Sequence, residues 1–314
     1  MGGPQIGGGA GSRRTAGGTV GDVDGIELRG SYTWSSARAA GVSRRQIERD
    51  GSRLGQGLYL SLAAEPTLVE LCQAWARVLP GRTAFGGTTA AALFGTPVPE
   101  PRRLTIVVPP DVVVPARPQL VRRIRTTSLT DLVQLGALRV TSGAQTFLDL
   151  AATMPPTELV AVGDSLYRDD HLDLDRLGER LARADRVRGV VRARECAPLL
   201  SPLAQSRPES LLRYWLVTSD LPDPEVGVPV FDRRGQEVAH GDLGYSRWKV
   251  LLEYEGRQHA EREQFRRDVD RYSLMSVDGW LLLRFADHHL GGPHTVVDRT
   301  RRALLSRGWR PGGR

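Results

Sequence analysis

Three carboxylates in the last quarter of the chain have the types and spacing expected of a divalent-metal site. Glu253 and Glu255 lie two residues apart in an apolar run, and Asp242 lies in the apolar run before it. Alternate residues of a strand point to one face, so the two glutamates would share a face with their Cα atoms roughly 7 Å apart. Crowded carboxylates repel one another unless a cation lies among them, and oxygen ligands suit Mg²⁺ or Mn²⁺. The pattern therefore predicts a metal site held by Asp242, Glu253 and Glu255.

Two strands joined by a short turn would have to position these carboxylates. The apolar runs at 238–245 and 248–254 have the length and composition of the two strands of a hairpin. Leu251, on the same face as the glutamates, favours a partly buried site, and the alternative is an ordinary polar face on a half-exposed strand. A helix over 261–277, a third strand over 280–285 and a basic helix over 294–308 are predicted to follow.

Three further residues are candidates for the same site. Glu209 lies in the first turn of an amphipathic helix, where Ser206 and Glu209 also have the spacing of a capping box, so a purely structural role is the alternative. His259, in the loop after the second strand, is either a metal ligand or acid–base group near a phosphate, or a solvated loop histidine. Asp268 and Arg271 lie three residues apart on one helix face, and they either pair or face the site.

Several spaced motifs in this region resemble the DUF559 domain family. They are Asp242, Glu253-Tyr-Glu255-Gly-x-x-His259, Asp268-x-x-Arg271 and Gly279-Trp280-x-x-Leu283-Arg284. That family is related to the very-short-patch-repair endonucleases of the PD-(D/E)xK restriction-endonuclease-like superfamily. The resemblance covers about residues 205–305, and it implies a mixed sheet flanked by helices, a Mg²⁺-dependent phosphodiesterase site and DNA as the substrate. It also implies roles at the site for five residues: Asp242 and Glu253 as metal ligands, and Glu209, His259 and Asp268 nearby.

One position departs from the general superfamily pattern. The residue two after Glu253 is lysine in that pattern and is Glu255 here, as is usual in the DUF559 group. Lys249 is on the same strand face but roughly 13 Å upstream, so the cation that positions the nucleophile is unassigned. A metal-activated water assisted by His259 is the expected nucleophile.

Residues 31–60 are predicted to form a helix-turn-helix followed by a small strand pair. Two short helical segments, 34–40 and 43–50, flank Gly41, and glycine accepts the positive φ of a sharp turn. The second helix would bury Ile47 and would expose three arginines, Arg44, Arg45 and Arg49. The second helix of a helix-turn-helix enters the major groove, so these arginines are predicted to bind DNA. The alternative is a helical hairpin with a solvated basic face.

The composition limits the class of protein. The 314 residues include 40% apolar residues, which is enough for packed cores in two or three domains. The sequence contains no apolar run of about 18 residues that would predict a membrane span, and its Gly-rich start lacks the apolar segment of a secretory signal. The two cysteines, Cys72 and Cys196, are too few for a disulfide framework. A cytoplasmic location is therefore expected.

Positive charge is concentrated towards both ends of a chain whose formal net charge is +7. One of the 43 Lys and Arg residues is lysine and the others are arginine, which binds phosphate with two parallel hydrogen bonds. Residues 29–60 contain six arginines and two acids, and residues 299–314 contain six arginines and no acid. A GC-rich genome is an alternative explanation of the arginine content, but it does not account for this placement, which favours a polyanionic partner.

The chain as a whole is predicted to be α/β, in the α+β multi-domain class. The predicted parts are a disordered leader at 1–28, a winged helix-turn-helix-like unit at 29–62, a mixed α/β middle domain at 63–200, the nuclease-like domain at 201–308 and a tail at 309–314. Within the middle domain, the charged stretch 176–196 is predicted to be one exposed helix. The N-terminal and middle parts, including 83–95 and 142–152, resemble the AbiEi antitoxin-like family, which implies promoter binding and a toxin partner.

These features predict a DNA-binding protein with a metal-dependent endonuclease domain, in a bacterial defence or toxin–antitoxin context. The expected partners are DNA, Mg²⁺ or Mn²⁺, and a toxin or defence protein, with no membrane association and with homodimer formation left open. The alternative is a non-catalytic transcriptional regulator or antitoxin whose nuclease fold is degenerate. An RNA-directed nuclease is a third hypothesis, and it is disfavoured because the sequence offers no aromatic platform for stacking bases.

Overall fold

The α+β multi-domain class is confirmed by a computed structural model of the chain. It describes residues 30–55, 57–61, 65–231, 235–256, 273 and 275–311. These residues combine α-helices with three separate sheets, and the chain divides into two compact units, Met1–Glu65 and Pro66–Arg314. Within the described parts, no helix has the length and apolarity required to cross a membrane.

The first unit is a small three-stranded sheet with two helices. Its elements are β1 (Ser31–Thr33), α1 (Trp34–Ala39), α2 (Arg44–Asp50), β2 (Gly51–Gly55) and β3 (Leu58–Ser61), with antiparallel sheet order β1-β3-β2. Gly41 has φ +86°, as expected of a turn glycine between the helices, and the Ser43 hydroxyl caps α2 by accepting from the backbone N–H of Gln46. Val42 and Ile47 are completely buried, so α2 has the predicted inward face.

The middle of the chain forms a five-stranded sheet with helices. Its strands are β4 (Ala84–Phe85), β5 (Leu104–Val108), β6 (Leu120–Ile124), β7 (Leu132–Leu135) and β8 (Leu138–Thr141), in the order β6-β5-β4-β8-β7. The helices are α3 (Leu68–Ala76), α4 (Gly87–Leu93), α5 (Gly143–Ala151), α6 (Pro156–Arg168), α7 (Leu174–Ala182) and α8 (Val190–Cys196). Because β6 pairs only with β5 among the described strands, its outer edge has no strand partner there.

The prediction of one exposed helix over 176–196 was wrong. Two helices, α7 and α8, occupy this stretch, and Gly189 precedes α8 with φ +88°. Each helix buries one face, through Leu177 in α7 and Ala193 in α8. The break arises because glycine accepts a left-handed conformation that other residues rarely adopt.

The last part of the chain forms a mixed four-stranded sheet. Its elements are α9 (Arg207–Val217), β9 (Glu225–Phe231), β10 (Glu237–Tyr245), β11 (Val250–Glu255), β12 (Leu281–Ala286) and α10 (Pro293–Ser306), with sheet order β12-β11-β10-β9. The pairs β9–β10 and β10–β11 are antiparallel, and β11 runs parallel to β12. A mixed sheet with helices before and after it agrees with the expectation for this region.

The two faces of β11 alternate as the sequence predicts. Val250 and Leu252 pack with Phe285 in one buried cluster that includes residues of α9 and α10, whereas Leu251 packs with Met275 in another cluster. The strand begins at Val250 rather than at 248, because 246–248 form a short 3-10 turn and Lys249 has φ +50°. Glu253 and Glu255 therefore follow Leu251 on the alternate positions of this strand.

A buried ion pair joins α6 to α9 across the predicted boundary at residue 200. Arg213 Nη2 donates to both carboxylate oxygens of Asp164, at 2.9 and 2.8 Å. Asp164 also accepts from the backbone N–H of Ser201 at 2.8 Å. Since Asp164 is 1% exposed and Arg213 is 6% exposed, the middle and last parts of the chain share this buried contact within one compact unit.

Candidate functional site

Asp242 and Glu253 meet where the pairing of β10 with β11 ends. The paired register runs from Tyr245 opposite Val250 to Leu243 opposite Leu252, so its next step would place Asp242 opposite Glu253. Asp242 Oδ2 accepts a hydrogen bond of 2.7 Å from the backbone N–H of Tyr254, the residue after Glu253. Glu253 is 6% exposed, and Asp242 is half-buried. The structure thus brings these two predicted site residues together.

Glu209 lies close enough to Asp242 to feel its charge. Burial raises the pKa of Glu209 above its ordinary value, and the negative charge of Asp242 raises this pKa further. Hydrogen bonds from Gln205 and Ser206 oppose the rise. The helix acid and the strand acid are therefore electrostatic neighbours.

The capping role of Glu209 is present as well. Its Oε1 accepts from the Ser206 hydroxyl and its Oε2 accepts from the backbone N–H of Gln205, both at 2.8 Å. The Ser206 hydroxyl oxygen in turn accepts from the backbone N–H of Glu209 at 3.4 Å. These bonds hold the Glu209 carboxylate at the start of α9, so capping and nearness to Asp242 are compatible rather than exclusive.

Glu255 forms an ion pair with an arginine and is not grouped with the other two predicted metal ligands. Its carboxylate forms an ion pair with the Arg284 guanidinium, and each side chain is 43% exposed. Arg284 lies opposite Glu253 in the parallel pairing of β11 with β12. In the described part of the chain, no three His, Cys, Asp or Glu residues group closely enough to hold a metal ion. Of the three predicted ligands, Asp242 and Glu253 are together and Glu255 faces Arg284.

The neighbouring cations differ from those considered in the sequence. The Lys249 side chain donates to the Asp278 carbonyl at 2.9 Å, just before β11 begins. Arg207, in the first turn of α9, donates to Glu158 at 2.8 Å and lies within electrostatic range of Tyr254. Sequence patterns could not place Arg284 beside Glu253, because that neighbour follows from a long-range parallel register.

Two predicted site residues lie outside the described residues. These are His259 and Asp268, together with Arg271, which the same motif includes. Their roles stay predictions.

A pair of carboxylates fits the chemistry of Mg²⁺. This ion prefers oxygen ligands and is usually held by one or two carboxylates with water and substrate phosphates completing its shell. Glu253 is a buried carboxylate beside a second acid, and burying charge in this way is costly unless cations or hydrogen bonds compensate it. Asp242 and Glu253 are therefore the residues that could hold the ion.

Ion pairs partly neutralise the basic face of α2. Arg44 Nε pairs with Glu48 at 2.9 Å, and Arg49 Nε pairs with Asp50 at 2.6 Å. Arg45 is exposed and forms no ion pair with a described carboxylate. Of the three predicted DNA-binding arginines, Arg45 has the least compensated charge.

Comparisons with known proteins find distant relatives. No family model matches the chain. Two uncharacterized proteins from two strains of Mycobacterium tuberculosis, MT2308 and Rv2248, are each 25% identical over 240 residues, which is 76% of this chain and 86% of each relative. A crystal structure of the RV2827C protein from Mycobacterium tuberculosis aligns with a TM-score of 0.40 and 17% identity, over 58% of this chain and 75% of that one. The resemblances to the DUF559 and AbiEi families stay predictions.

Proposed function

We propose that this chain is a cytoplasmic DNA-binding protein whose last part hydrolyses DNA phosphodiester bonds with Mg²⁺ or Mn²⁺, in a bacterial defence or toxin–antitoxin system. The observation that carries the proposal is the meeting of Asp242 with Glu253 at the end of the β10–β11 pairing. Glu209 supports it, since its pKa responds to the charge of Asp242. The resemblance of the sequence motifs to the restriction-endonuclease-like superfamily supplies the reaction class by analogy.

Each acid has a role that follows from its surroundings. Asp242 and Glu253 hold the ion, which when bound supplies Lewis-acid stabilisation of charge on the phosphate. The hydrogen bond from Tyr254 fixes one oxygen of Asp242, so the carboxylate is oriented before substrate arrives. Glu209, with its raised pKa, is suited to keep a proton closer to neutral pH than an ordinary carboxyl group does.

Arg284 takes the place of the lysine that β11 lacks. It lies opposite Glu253 on the adjacent strand, and Glu255 holds its guanidinium through an ion pair. A guanidinium fork binds phosphate oxygens with directed hydrogen bonds. Arg284 therefore orients the phosphate, and Glu255 acts as a positioning residue for Arg284 rather than as a metal ligand.

The test is nicking of supercoiled plasmid by the full chain in Mg²⁺, in Mn²⁺ and in EDTA. The wild type should nick with either metal and not in EDTA, and Glu253→Gln should abolish nicking. Glu237→Gln is the matched control, because it removes an exposed carboxylate from β10, the strand that carries Asp242. Glu237 lies opposite Phe231 of β9 and contacts His240 at 3.2 Å, so it is not a neighbour of Glu253 in the strand pairing. Cleavage in EDTA, or equal cleavage by Glu253→Gln, would refute a site at Glu253.

A second candidate function is a non-catalytic DNA-binding regulator or antitoxin. The ion pair of Glu255 with Arg284 favours it, because it leaves two rather than three of the predicted ligands together. This candidate predicts binding to a promoter duplex in EDTA, no nicking with any metal, and unchanged DNA affinity in Asp242→Asn.

A further inference from the structure

Four arginines at one edge of the five-stranded sheet carry charge that no described carboxylate neutralises. We call Arg102, Arg103, Arg122 and Arg123 the β6 arginine cluster. All four side chains are exposed, and none forms an ion pair with a carboxylate among the described residues. Two lie in the edge strand β6, and the other two immediately precede its partner β5.

The four arginines lie along the β5–β6 pair at the outer edge of the sheet. In the parallel pairing of β5 with β6, Leu104 lies opposite Leu120. Arg103 Nη2 donates to the Leu120 carbonyl at 2.9 Å, which places it at the start of β6. Arg122 and Arg123 follow two and three residues later, which is roughly 7–10 Å along the strand. Arg122 and Arg123 are consecutive in the strand, so they point to opposite faces of the sheet, and the cluster is distributed along both faces of its outer edge.

Two acids near the cluster are already paired with other arginines. Asp111, in the loop between β5 and β6, pairs with Arg82, and Asp149 on α5 pairs with Arg125. The two arginine-rich ends of the chain differ in this respect. Four of their arginines are paired: Arg44 with Glu48, Arg49 with Asp50, Arg301 with Asp220, and Arg302 with Asp298. In the β6 arginine cluster, by contrast, none of the four arginines forms an ion pair with a described carboxylate.

Two members of the cluster are held in place without losing charge. Arg103 donates to the Leu120 carbonyl, and Arg122 donates to the Val114 carbonyl. Charged residues on an edge strand protect it from pairing with other chains, but that task does not require fixed side chains. Guanidinium groups held by main-chain carbonyls lose less side-chain entropy on binding an anion, so their placement favours recognition.

We propose that the β6 arginine cluster is a second DNA-binding surface, which grips the phosphates of a duplex without reading sequence. The inference rests on the proposed function, since that function supplies DNA as the partner. An exposed, unneutralised arginine patch matches the phosphate backbone in sign and in hydrogen-bonding geometry. The cluster lies in the second unit and is distinct from the arginines of α2 in the first.

The test measures the affinity of the full chain for a fluorescent duplex at several salt concentrations in EDTA, so that binding is separated from cleavage. The variant is Arg102→Gln with Arg123→Gln, because neither side chain makes a described hydrogen bond and the fold should be kept. Each phosphate contact contributes about 0.9 to the slope of log affinity against log salt, so the slope should fall by about two. The control, Arg176→Gln with Arg188→Gln, removes the same charge from two exposed arginines without a described ion pair and should leave the slope unchanged.

The outcomes separate this inference from the proposed function. If the wild type does not bind duplex DNA, the proposed function fails and this inference fails with it. If the wild type binds and both double variants show the salt slope of the wild type, the inference alone is overturned. The Arg102→Gln, Arg123→Gln variant could instead lose binding to a polyglutamate peptide while its affinity for the duplex is unchanged. That result would assign the surface to an acidic protein and would also overturn the inference.

Discussion

The carboxylate of Asp242 accepts a hydrogen bond of 2.7 Å from the backbone N–H of Tyr254, at the point where β10 stops pairing with β11. A side chain thus takes the place of a main-chain acceptor beside the buried Glu253. The bond needs an acceptor oxygen but not a negative charge. Structure and chemistry at this position can therefore be separated by one substitution.

Asp242→Asn should keep the fold and remove nicking. The amide oxygen of asparagine can still accept from Tyr254, whereas the charge needed to hold a divalent ion is lost. Groups that only support metal ligands cost about 10–100-fold on mutation, so loss of a ligand should lower the nicking rate at least about 100-fold. Nicking rate and thermal unfolding are measured on the same samples. A variant that nicks at the wild-type rate would remove Asp242 from the site.

Glu209 should make stability depend on pH in a way that Asp242 controls. Its pKa in the folded chain is raised above the ordinary 4.5, mainly by burial and further by Asp242. An acid with a raised folded pKa favours folding below its unfolded pKa and loses that contribution as pH rises through the folded pKa. As the pH rises above 4.5 and through the raised folded pKa, the wild type should therefore lose free energy of unfolding relative to Glu209→Gln.

The control for that dependence is the same comparison in the Asp242→Asn background. Removing the charge of Asp242 lowers the pKa of Glu209, so the loss with rising pH should be smaller there. Urea unfolding in EDTA at each pH gives the free energies. An equal pH dependence in both backgrounds would mean that Asp242 does not act on Glu209.

The buried pair of Asp164 and Arg213 should be needed for stability. Arg213→Met leaves a carboxylate that is 1% exposed without its cation. Breaking a buried ion pair on one side costs about 3–5 kcal/mol of unfolding free energy. The double variant Asp164→Leu with Arg213→Met should recover part of that loss, because no unpaired charge stays buried. If Arg213→Met unfolds at the wild-type urea concentration, the pair contributes nothing.

Arg45 should contribute more to DNA binding than Arg44. Both are exposed on α2, but Arg44 pairs with Glu48 at 2.9 Å and would have to break that ion pair to bind phosphate. Removing one arginine that binds a phosphate lowers the salt slope by about one, so Arg45→Ala should show that decrease and Arg44→Ala a smaller one. Anisotropy titrations of a labelled duplex measure both. Equal slopes for the wild type and Arg45→Ala would mean that DNA does not bind α2 through this residue.

Local sequence signals were enough to place the strands that carry the candidate site. Period-2 alternation put Leu251 and Glu253 on one face, and burial of both agrees with that expectation. Gly41 and Ser43 marked the turn and cap of α2 because their chemistry acts within a few residues.

The pairing of Glu255 with Arg284 could not be predicted in this way. It depends on the register of β11 against β12, whose paired positions are some thirty residues apart in sequence. The same holds for Asp164 and Arg213, which lie on helices that the sequence assigned to different domains. Pairs of this kind follow from tertiary packing rather than from local sequence pattern. The sequence therefore predicted three carboxylates for the metal site, although one of them pairs with an arginine.

The most direct measurement is calorimetric titration of Mn²⁺ into the full chain bound to a nuclease-resistant phosphorothioate duplex. We expect saturable binding that is lost in Asp242→Asn and in Glu253→Gln and is kept in Glu255→Gln, since Glu255 is paired with Arg284. A metal site at these two acids would be contradicted if the wild type does not bind Mn²⁺, or if Asp242→Asn and Glu253→Gln bind Mn²⁺ as tightly as the wild type does.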